Sequence, residues 1–330
     1  MAVSIADIQK LRKMTGAGLS DCKKALTETE GNFDKAVEII REKGQAIAAK
    51  RSDRETSNGC VLVKYADNFG AIVALKCETD FVANGADYIK LTQDILDAAV
   101  AAKAKSLDEV KELALADGTK VLDAVVARSG ITGEKMELDG YNFIEGENIS
   151  TYDHMGKHTL CTMVQTNKPA EEQAHAIAMQ VAAMKPMFLD EASVSQEFIE
   201  EEKKVAAEKT KQELVQKAVD AALKKAGINP AHVDSEEHME SNMGKGWITA
   251  EDVAKAKEII ATVSAEKAAN LPAQMIENIV KGRINRIYKE NCLLNQEFIQ
   301  DSKLSVADYL KAADKDLTVV DYKRFSLSAD

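Results

Sequence analysis

The chain has 330 residues, of which 45% are hydrophobic and 29% charged, and its formal net charge is −11. That apolar fraction suffices for a real core and excludes general disorder, and the length suits about two domains with smaller modules among them. The acidic balance disfavours direct nucleic-acid binding and suits a protein that meets a basic patch on another protein.

Aromatic residues are only 5% of the chain, and Ala, Lys and Glu abound, a mixture that favours helices. Cys22, Cys60, Cys77, Cys161 and Cys292 are widely spaced, with no CxxC pair and no Cys/His ladder. They read as buried or half-buried free thiols of a reducing compartment, not as zinc ligands or a disulfide framework. The opening Met-Ala-Val-Ser-Ile-Ala-Asp lacks the basic and apolar regions of a signal peptide, and no stretch is apolar for the length of a membrane span. The expectation is a cytoplasmic chain.

The first fifty residues predict a small helical module. Ser4 and Asp7 form a capping-box pattern, with Ile5, Ile8 and Leu11 on one helical face. Gly16-Ala17-Gly18 breaks that helix, and Ser20 is placed to cap a second from Asp21 to about Thr29. Gly31 ends it, Asn32 caps a third carrying Phe33, Ala36, Val37 and Ile40, and Gly44 is expected to close the bundle. The polar run Lys50 to Arg54 reads as a linker.

From Gly59 the period becomes two. Val61, Val63 and Tyr65 alternate along a strand, Asp67-Asn68-Phe69-Gly70 makes a turn, and Ala71 to Cys77 is a second strand. Asn84 and Asp87 offer a capping box for a helix reaching roughly Lys105. The order then repeats: a strand within Lys135 to Asp153, a β-branched strand from Thr159 to Gln165, a turn at Asn167-Lys168-Pro169, and an Ala-rich helix from Ala170 to Lys185 stopped by Pro186. Two strand–strand–helix units predict a duplicated α+β core, each sheet covered on one face by helices.

Phe198, Val205, Leu214, Val215, Val219, Ala222 and Leu223 then form a broken apolar stripe that Gly227 and Pro230 stop, with a polar stretch to Gly246. Thr249 and Asp252 cap a helix carrying Val253, Ile259, Ile260 and Val263. The pattern is a protruding, coiled-coil-like helical hairpin, and a homodimer through it is one use of such a stripe. Pro272 opens a helix with Met275, Ile276, Ile279 and Val280 on one face, Ser305 and Asp308 cap a short helix, and Leu317 to Val320 is a candidate final strand.

Signatures of catalysis are weak. There is no GxxxxGK[ST] and no GxGxxG after a strand, so the chain is not itself a P-loop GTPase. His154 and His158 are four apart, but Gly156 argues against the helix that a shared metal would need, and no cofactor is called for. Cys77 beside Glu78 ends an apolar strand and reads as a packed thiol, not a nucleophile with His154 as base. The most informative segment is Cys77-Glu78-Thr79-Asp80-Phe81-Val82-Ala83, a tight connection of the kind that presents functional side chains. Physics alone favours Phe81 and Val82 tucked beneath the following helix as core, with Asp80 a solvated turn residue.

A resemblance changes that balance. Thr79-Asp80-Phe81-Val82 resembles the signature loop of the elongation factor Ts family, and Leu11 to Leu26, with its Thr-Gly-Ala-Gly and Asp-Cys-Lys-Lys-Ala-Leu, resembles that family's other signature. Tyr152-Asp153-His154, Val181 to Pro186, Ile279 to Arg283 and Leu294 to Phe298 are similar to further family segments in the same order. The resemblance implies a ubiquitin-associated-like module with its linker (1–54), two core subdomains (55–140 and 141–196), a helical hairpin insertion (197–270), a return to the core (271–303) and a C-terminal module (304–330). It implies a guanine-nucleotide exchange factor that works on the GTPase EF-Tu without covalent catalysis, Phe81 entering an apolar pocket and Asp80 disturbing the magnesium site. Asp21, Cys22 and Lys23 would form the N-terminal contact, Gly130 a further one, and His154 that of the second core half. The segment from about Glu208 to Asn270 is longer than the link expected of many members, and Ser129 stands before Gly130 where an apolar residue is expected. The rival reading is a helical scaffold or binding module without exchange activity.

Overall fold

A computed structural model describes residues 3–328. Three helices open the chain: α1 (Ile5–Thr15), α2 (Leu19–Glu28) and α3 (Phe33–Lys50). The Ser4–Asp7 capping box and the Asn32 cap both form, and Gly16 ends α1 in the left-handed region at φ 69°. Gly18, not Ser20, caps α2, because the Cys22 N–H already donates to the Gly18 carbonyl at 3.0 Å. Leu11, Cys22, Ala25, Leu26 and Ala36 form the bundle's core. Gly44 does not close the bundle; it lies buried inside α3, which runs on to Lys50.

The first sheet begins with β1 (Asn58–Ala66) and β2 (Phe69–Cys77). Their turn is only Asp67-Asn68, both left-handed at φ 51° and 60°, as a two-residue hairpin matched to strand twist requires. Phe69 therefore belongs to the strand, opposite Ala66, and is fully buried. The chain continues through α4 (Asp80–Ala83), α5 (Ala86–Ala102), α6 (Leu107–Glu112) and α7 (Val121–Thr132) before β3 (Met136–Glu145) returns antiparallel to β2. Asn84 and Asp87 do not cap α5: Asn84 ends the one-turn α4, Gly85 precedes α5, and a left-handed Lys103 closes it short of Lys105. Helix α5 covers one sheet face, burying Tyr88, Ile95, Leu96 and Ala99 against Phe69, Val73 and Leu75.

Between Lys135 and Asp153 lie two strands, not one. Gly146 and Asn148, at φ 142° and 59°, break the chain, so β3 stays with the first sheet while β4 (Ile149–Asp153) pairs with β5 (Leu160–Thr166) in a second. Helix α8 (Glu171–Met184) covers that sheet.

The free faces of the two sheets meet. Val61, Ile72, Ala74 and Ile144 pack on Ile149, Cys161 and Met163, and the Val61 N–H donates to the His158 carbonyl at 2.7 Å.

The chain separates into two compact units, one running to Leu189 and resuming at Glu297, the other spanning Asp190–Gln296. The second holds α9 (Gln196–Lys225), α10 (Glu236–Gly244), α11 (Ala250–Ala269) and α12 (Ala273–Asn291). Helix α10 lies in the stretch read as polar. Ser235 caps it, and Met239 joins Val219, Leu223, Ile228, Val233, Ile248 and Ala256 in a small core. Val205 faces solvent at 57% exposure, so the buried stripe there runs through Ala206 and Thr210 instead. The Thr249–Asp252 capping box opens α11, and Arg283 of α12 pairs with Glu213 of α9 at 2.5 Å.

Back in the first unit, β6 (Glu297–Phe298) and β7 (Asp301–Ser305) form a hairpin, followed by α13 (Val306–Ala313) and β8 (Val319–Ser326). The fully buried Gln180 side chain of α8 donates to the Glu297 carbonyl and accepts from the Ile299 N–H, tying this hairpin down. The final strand runs past Val320 because β5 pairs with it from Thr166↔Val319 to Leu160↔Ser326, giving the sheet order β4-β5-β8. The fold is α+β. Among the described residues no helix is long and apolar enough to cross a membrane.

Helices α3 and α7 cross at two glycines. A Cβ on Gly130 would stand 2.5 Å from the Gly44 Cα, so the backbones touch with no room for a methyl group. Arg41 and Asp123 flank the crossing with an ion pair at 2.8 Å. Gly130→Ala is expected to force the helices apart and lower stability by roughly 1–3 kcal/mol. Urea unfolding checks this; an unchanged midpoint would mean that the crossing yields freely.

Candidate functional site

The segment after β2 builds an exposed aromatic on a fixed support. The ladder between β2 and β3 ends at Cys77↔Met136. Beyond it side chains and the following turn take over from the ladder. The Cys77 thiol donates to the Thr79 carbonyl at 3.2 Å, and the Asn58 side chain donates to the Glu78 carbonyl at 3.0 Å. Thr79 takes an extended conformation and caps α4, its hydroxyl accepting from the Val82 N–H at 3.4 Å. The Ala83 and Asn84 N–H groups close the turn onto the Thr79 and Asp80 carbonyls at 3.2 and 3.0 Å.

One helical turn sends successive side chains in different directions. Ala83 is buried and Val82 half-buried against the core beneath α5. Asp80 and Phe81 point outward, and Phe81 is 87% exposed, the most exposed large apolar side chain among the described residues. The expectation of Phe81 as core is thus overturned, while Val82 does tuck in. Single exposed apolar side chains are common at protein surfaces; what sets Phe81 apart is the capped and braced turn that carries it.

The bracing comes from residues that sequence reasoning missed. Glu78 accepts two bonds from Arg51, both at 2.8 Å, and one from the Lys135 N–H at 2.6 Å. Arg51 belongs to the run read as a linker, so that run is pinned beside the turn. The Lys135 N–H first, and then Arg51, hold the Glu78 carboxyl below its ordinary range. Glu134 accepts from the Thr79 N–H at 3.1 Å and from its hydroxyl at 2.6 Å. Nothing in the sequence signals these partners, since they lie 27 to 57 positions away along the chain.

The other expected contact residues are spread over the same compact unit. His154 is exposed in the short turn between β4 and β5, where Tyr152 meets its Nδ1 at 3.0 Å. In the same turn the His158 ring lies 2.5 Å from Asp153. Asp80, Asn84, Asn58, Lys157 and His158 line one shallow hollow of about 250 Å³, so the structure brings the Phe81 turn and the histidine turn to a common surface. Asp21 and Lys23 sit on α2 in the N-terminal bundle, Asp21 paired with Lys43 at 2.5 Å and Lys23 exposed. Cys22 points the other way, into the bundle core, so its thiol offers nothing to a partner. Gly130 is spent on the α7 crossing with Gly44. All five cysteines are buried free thiols; burial pushes Cys60 up to about 12 and Cys292 up to about 11, which makes them packing groups and not nucleophiles.

The sequence is similar to those of known proteins along its whole length. Residues 78–329 match the family model described as elongation factor TS. Elongation factor Ts of Bacteroides fragilis is 68% identical, and that of Bacteroides thetaiotaomicron 66%, each over the whole of both chains. Elongation factor Ts of Porphyromonas gingivalis is 42% identical over the same full span. An α+β core of this kind, with these relatives, is that of a translation elongation factor. The chain belongs to the elongation factor Ts family.

The Glu78 network carries a pH dependence. Its pKa is lower folded than unfolded, so its contribution to stability is complete above the unfolded glutamate value of about 4.3 and is lost as pH falls through the lower folded value. Urea midpoints between neutral and strongly acidic pH should therefore fall less steeply in Glu78→Gln than in the wild type. Parallel curves would show that Glu78 is not held by this network.

Proposed function

We propose that the chain speeds GDP release from EF-Tu by inserting Phe81 beside the magnesium and nucleotide site of the GTPase domain, after which GTP rebinds. The observation that carries this reading is the 87% exposure of Phe81 on a capped and braced turn at the end of a core strand. A GTPase holds its nucleotide through magnesium and through backbone amides around the phosphates. Exchange then needs no acid, base or nucleophile. It needs a wedge that binds best when those amides and the metal are displaced, and linkage makes the effect reciprocal: nucleotide weakens factor binding by the ratio in which the factor weakens nucleotide binding.

Rigidity decides how well such a wedge works. A side chain that must be ordered on binding loses roughly 0.5–1.5 kcal/mol of the contact energy. Here the turn is already fixed, and a phenyl ring has few rotamers to lose. Asp80, next to Phe81 and exposed, is placed to bring negative charge toward the metal site. His154 is exposed in the turn whose Lys157 and His158 line the hollow beside the Phe81 turn, and it serves as the second contact, with Asp21 and Lys23 as a third from the N-terminal bundle. Cys22 and Gly130 act indirectly in this scheme, one as bundle core and the other by seating α3 on α7.

The experiment is release of fluorescent GDP from EF-Tu at stoichiometric full-length chain, with and without excess magnesium. Phe81→Ala should change stability by less than about 0.5 kcal/mol, as a surface substitution does. It should slow exchange roughly thirtyfold or more, since an anchoring aromatic commonly contributes about 2 kcal/mol. Asp80→Ala is expected to lower exchange less and leave the melting curve unchanged. Normal release with Phe81→Ala would overturn the wedge, and tight binding of wild type without release would favour the scaffold reading.

A further inference from the structure

The turn that carries Phe81 is four residues long, too short to be stable from its own hydrogen bonds. Its geometry must come from outside. Thr79 is the pivot: its hydroxyl caps α4, its carbonyl accepts the turn's first hydrogen bond, and its φ and ψ set the direction in which Phe81 leaves the strand. Both donors of Thr79 go to one group, the Glu134 carboxylate, the N–H to Oε2 at 3.1 Å and the hydroxyl to Oε1 at 2.6 Å. With the hydroxyl proton committed to Glu134, the oxygen's lone pairs face the Val82 N–H, so the two bonds reinforce each other.

Glu134 is itself held from both sides. Its carbonyl accepts from the Ser129 hydroxyl at 2.5 Å and its N–H donates to Thr132 Oγ1 at 3.3 Å, just past Gly133, the left-handed residue that ends α7. Ser129 is buried, and its hydroxyl finds its acceptor there. This gives a use for a polar residue at a position where an apolar one was expected. The neighbouring Lys135 N–H binds Glu78, so residues 134 and 135 grip residues 79 and 78 in turn, prolonging the β2–β3 pairing past its last ladder rung.

We infer that Glu134, anchored through Ser129, is the positioning residue that fixes the Phe81 turn in its projecting conformation before any partner arrives. The inference deepens the exchange reading and rests on it only for its functional consequence; the effect on the turn itself does not. Losing a two-point bond to a carboxylate should release the turn without opening the core, because Glu134 is half-buried and contributes no apolar packing to it.

Hydrogen exchange on the free, full-length chain separates the two parts. In Glu134→Ala, the protection of the Ala83 and Asn84 amides, which close the turn, is expected to drop at least tenfold, while the global melting temperature moves little. Glu134→Gln, which keeps one acceptor, should recover most of that protection. Ser129→Ala, which frees the Glu134 backbone, should lose part of it. GDP release from EF-Tu should slow about tenfold in Glu134→Ala and follow the protection through the series. Unchanged protection in Glu134→Ala would overturn the positioning role, even if exchange fell, because the carboxylate would then be acting on the partner directly. Lost protection with normal release would leave the positioning role standing and sink the Phe81 wedge instead.

Discussion

Each of the two sheets has a helical layer on one side only, and everything else follows from where the other side goes. A three-stranded sheet with one apolar face left in water would not hold together. Here Val61, Ile72, Ala74 and Ile144 find Ile149, Cys161 and Met163, and each sheet becomes the other's cover. The approach is close enough that Gly140 is obligatory: a Cβ there would lie 2.4 Å from the Phe325 ring and 2.5 Å from the Ala74 methyl. With the sheets locked face to face, the end of β2 and the turn after β4 are carried by one block. That is why the turn after β2 and the turn after β4, far apart along the chain, meet at one hollow, where Asp80 and Asn84 stand beside Lys157 and His158.

The same logic explains the contrast within Thr79 to Ala83. A strand buried on both faces spends its residues on packing; only where it leaves the sheet can the chain direct side chains outward. Ala83 and Val82 still pay the debt to the core, and Asp80 and Phe81 are released from it. Turning the chain through one helical turn, in place of an irregular loop, gives a defined direction to a ring that nothing else restrains.

What was legible in the sequence was local. The capping boxes at Ser4, Thr249 and Ser305 form as read, because donor and acceptor are three residues apart. The first hairpin was legible because Asp and Asn tolerate the left-handed turn and the strands alternate. The helix α7 was not: Val121 to Thr132 is apolar around much of its circumference, without a clear polar face, because α3, α5, α6 and β3 surround it. Gly44 looked like a terminator, since a helical glycine whose partner is another glycine 86 positions on (130 − 44) cannot be told from a stop by sequence alone. The split of residues 136–153 between two sheets was hidden for a similar reason, the choice of partner strand being tertiary. Of the site, Phe81 was visible as an unusual residue in a tight connection, but its direction was not. Local physics put it inside, and only the resemblance of its surroundings to a family motif pointed out. Glu134 and Arg51 carry no local signal, because their partners lie 55 and 27 residues distant and only folding introduces them, while Ser129 stood out only as a polar residue in an apolar position.

The five buried thiols bring one more property. Cys22 lies in the N-terminal bundle, Cys60, Cys77 and Cys161 in the sheet core, and Cys292 at the close of α12. A thiol sealed from solvent and pushed toward its protonated form reacts with an alkylating reagent only while its surroundings stand open. The molecule thus comes with its own set of reporters, distributed over its parts. The rate at which each sulfur is labelled measures how often that part breathes, and Cys77, whose proton rests on the Thr79 carbonyl, reads the foot of the Phe81 turn.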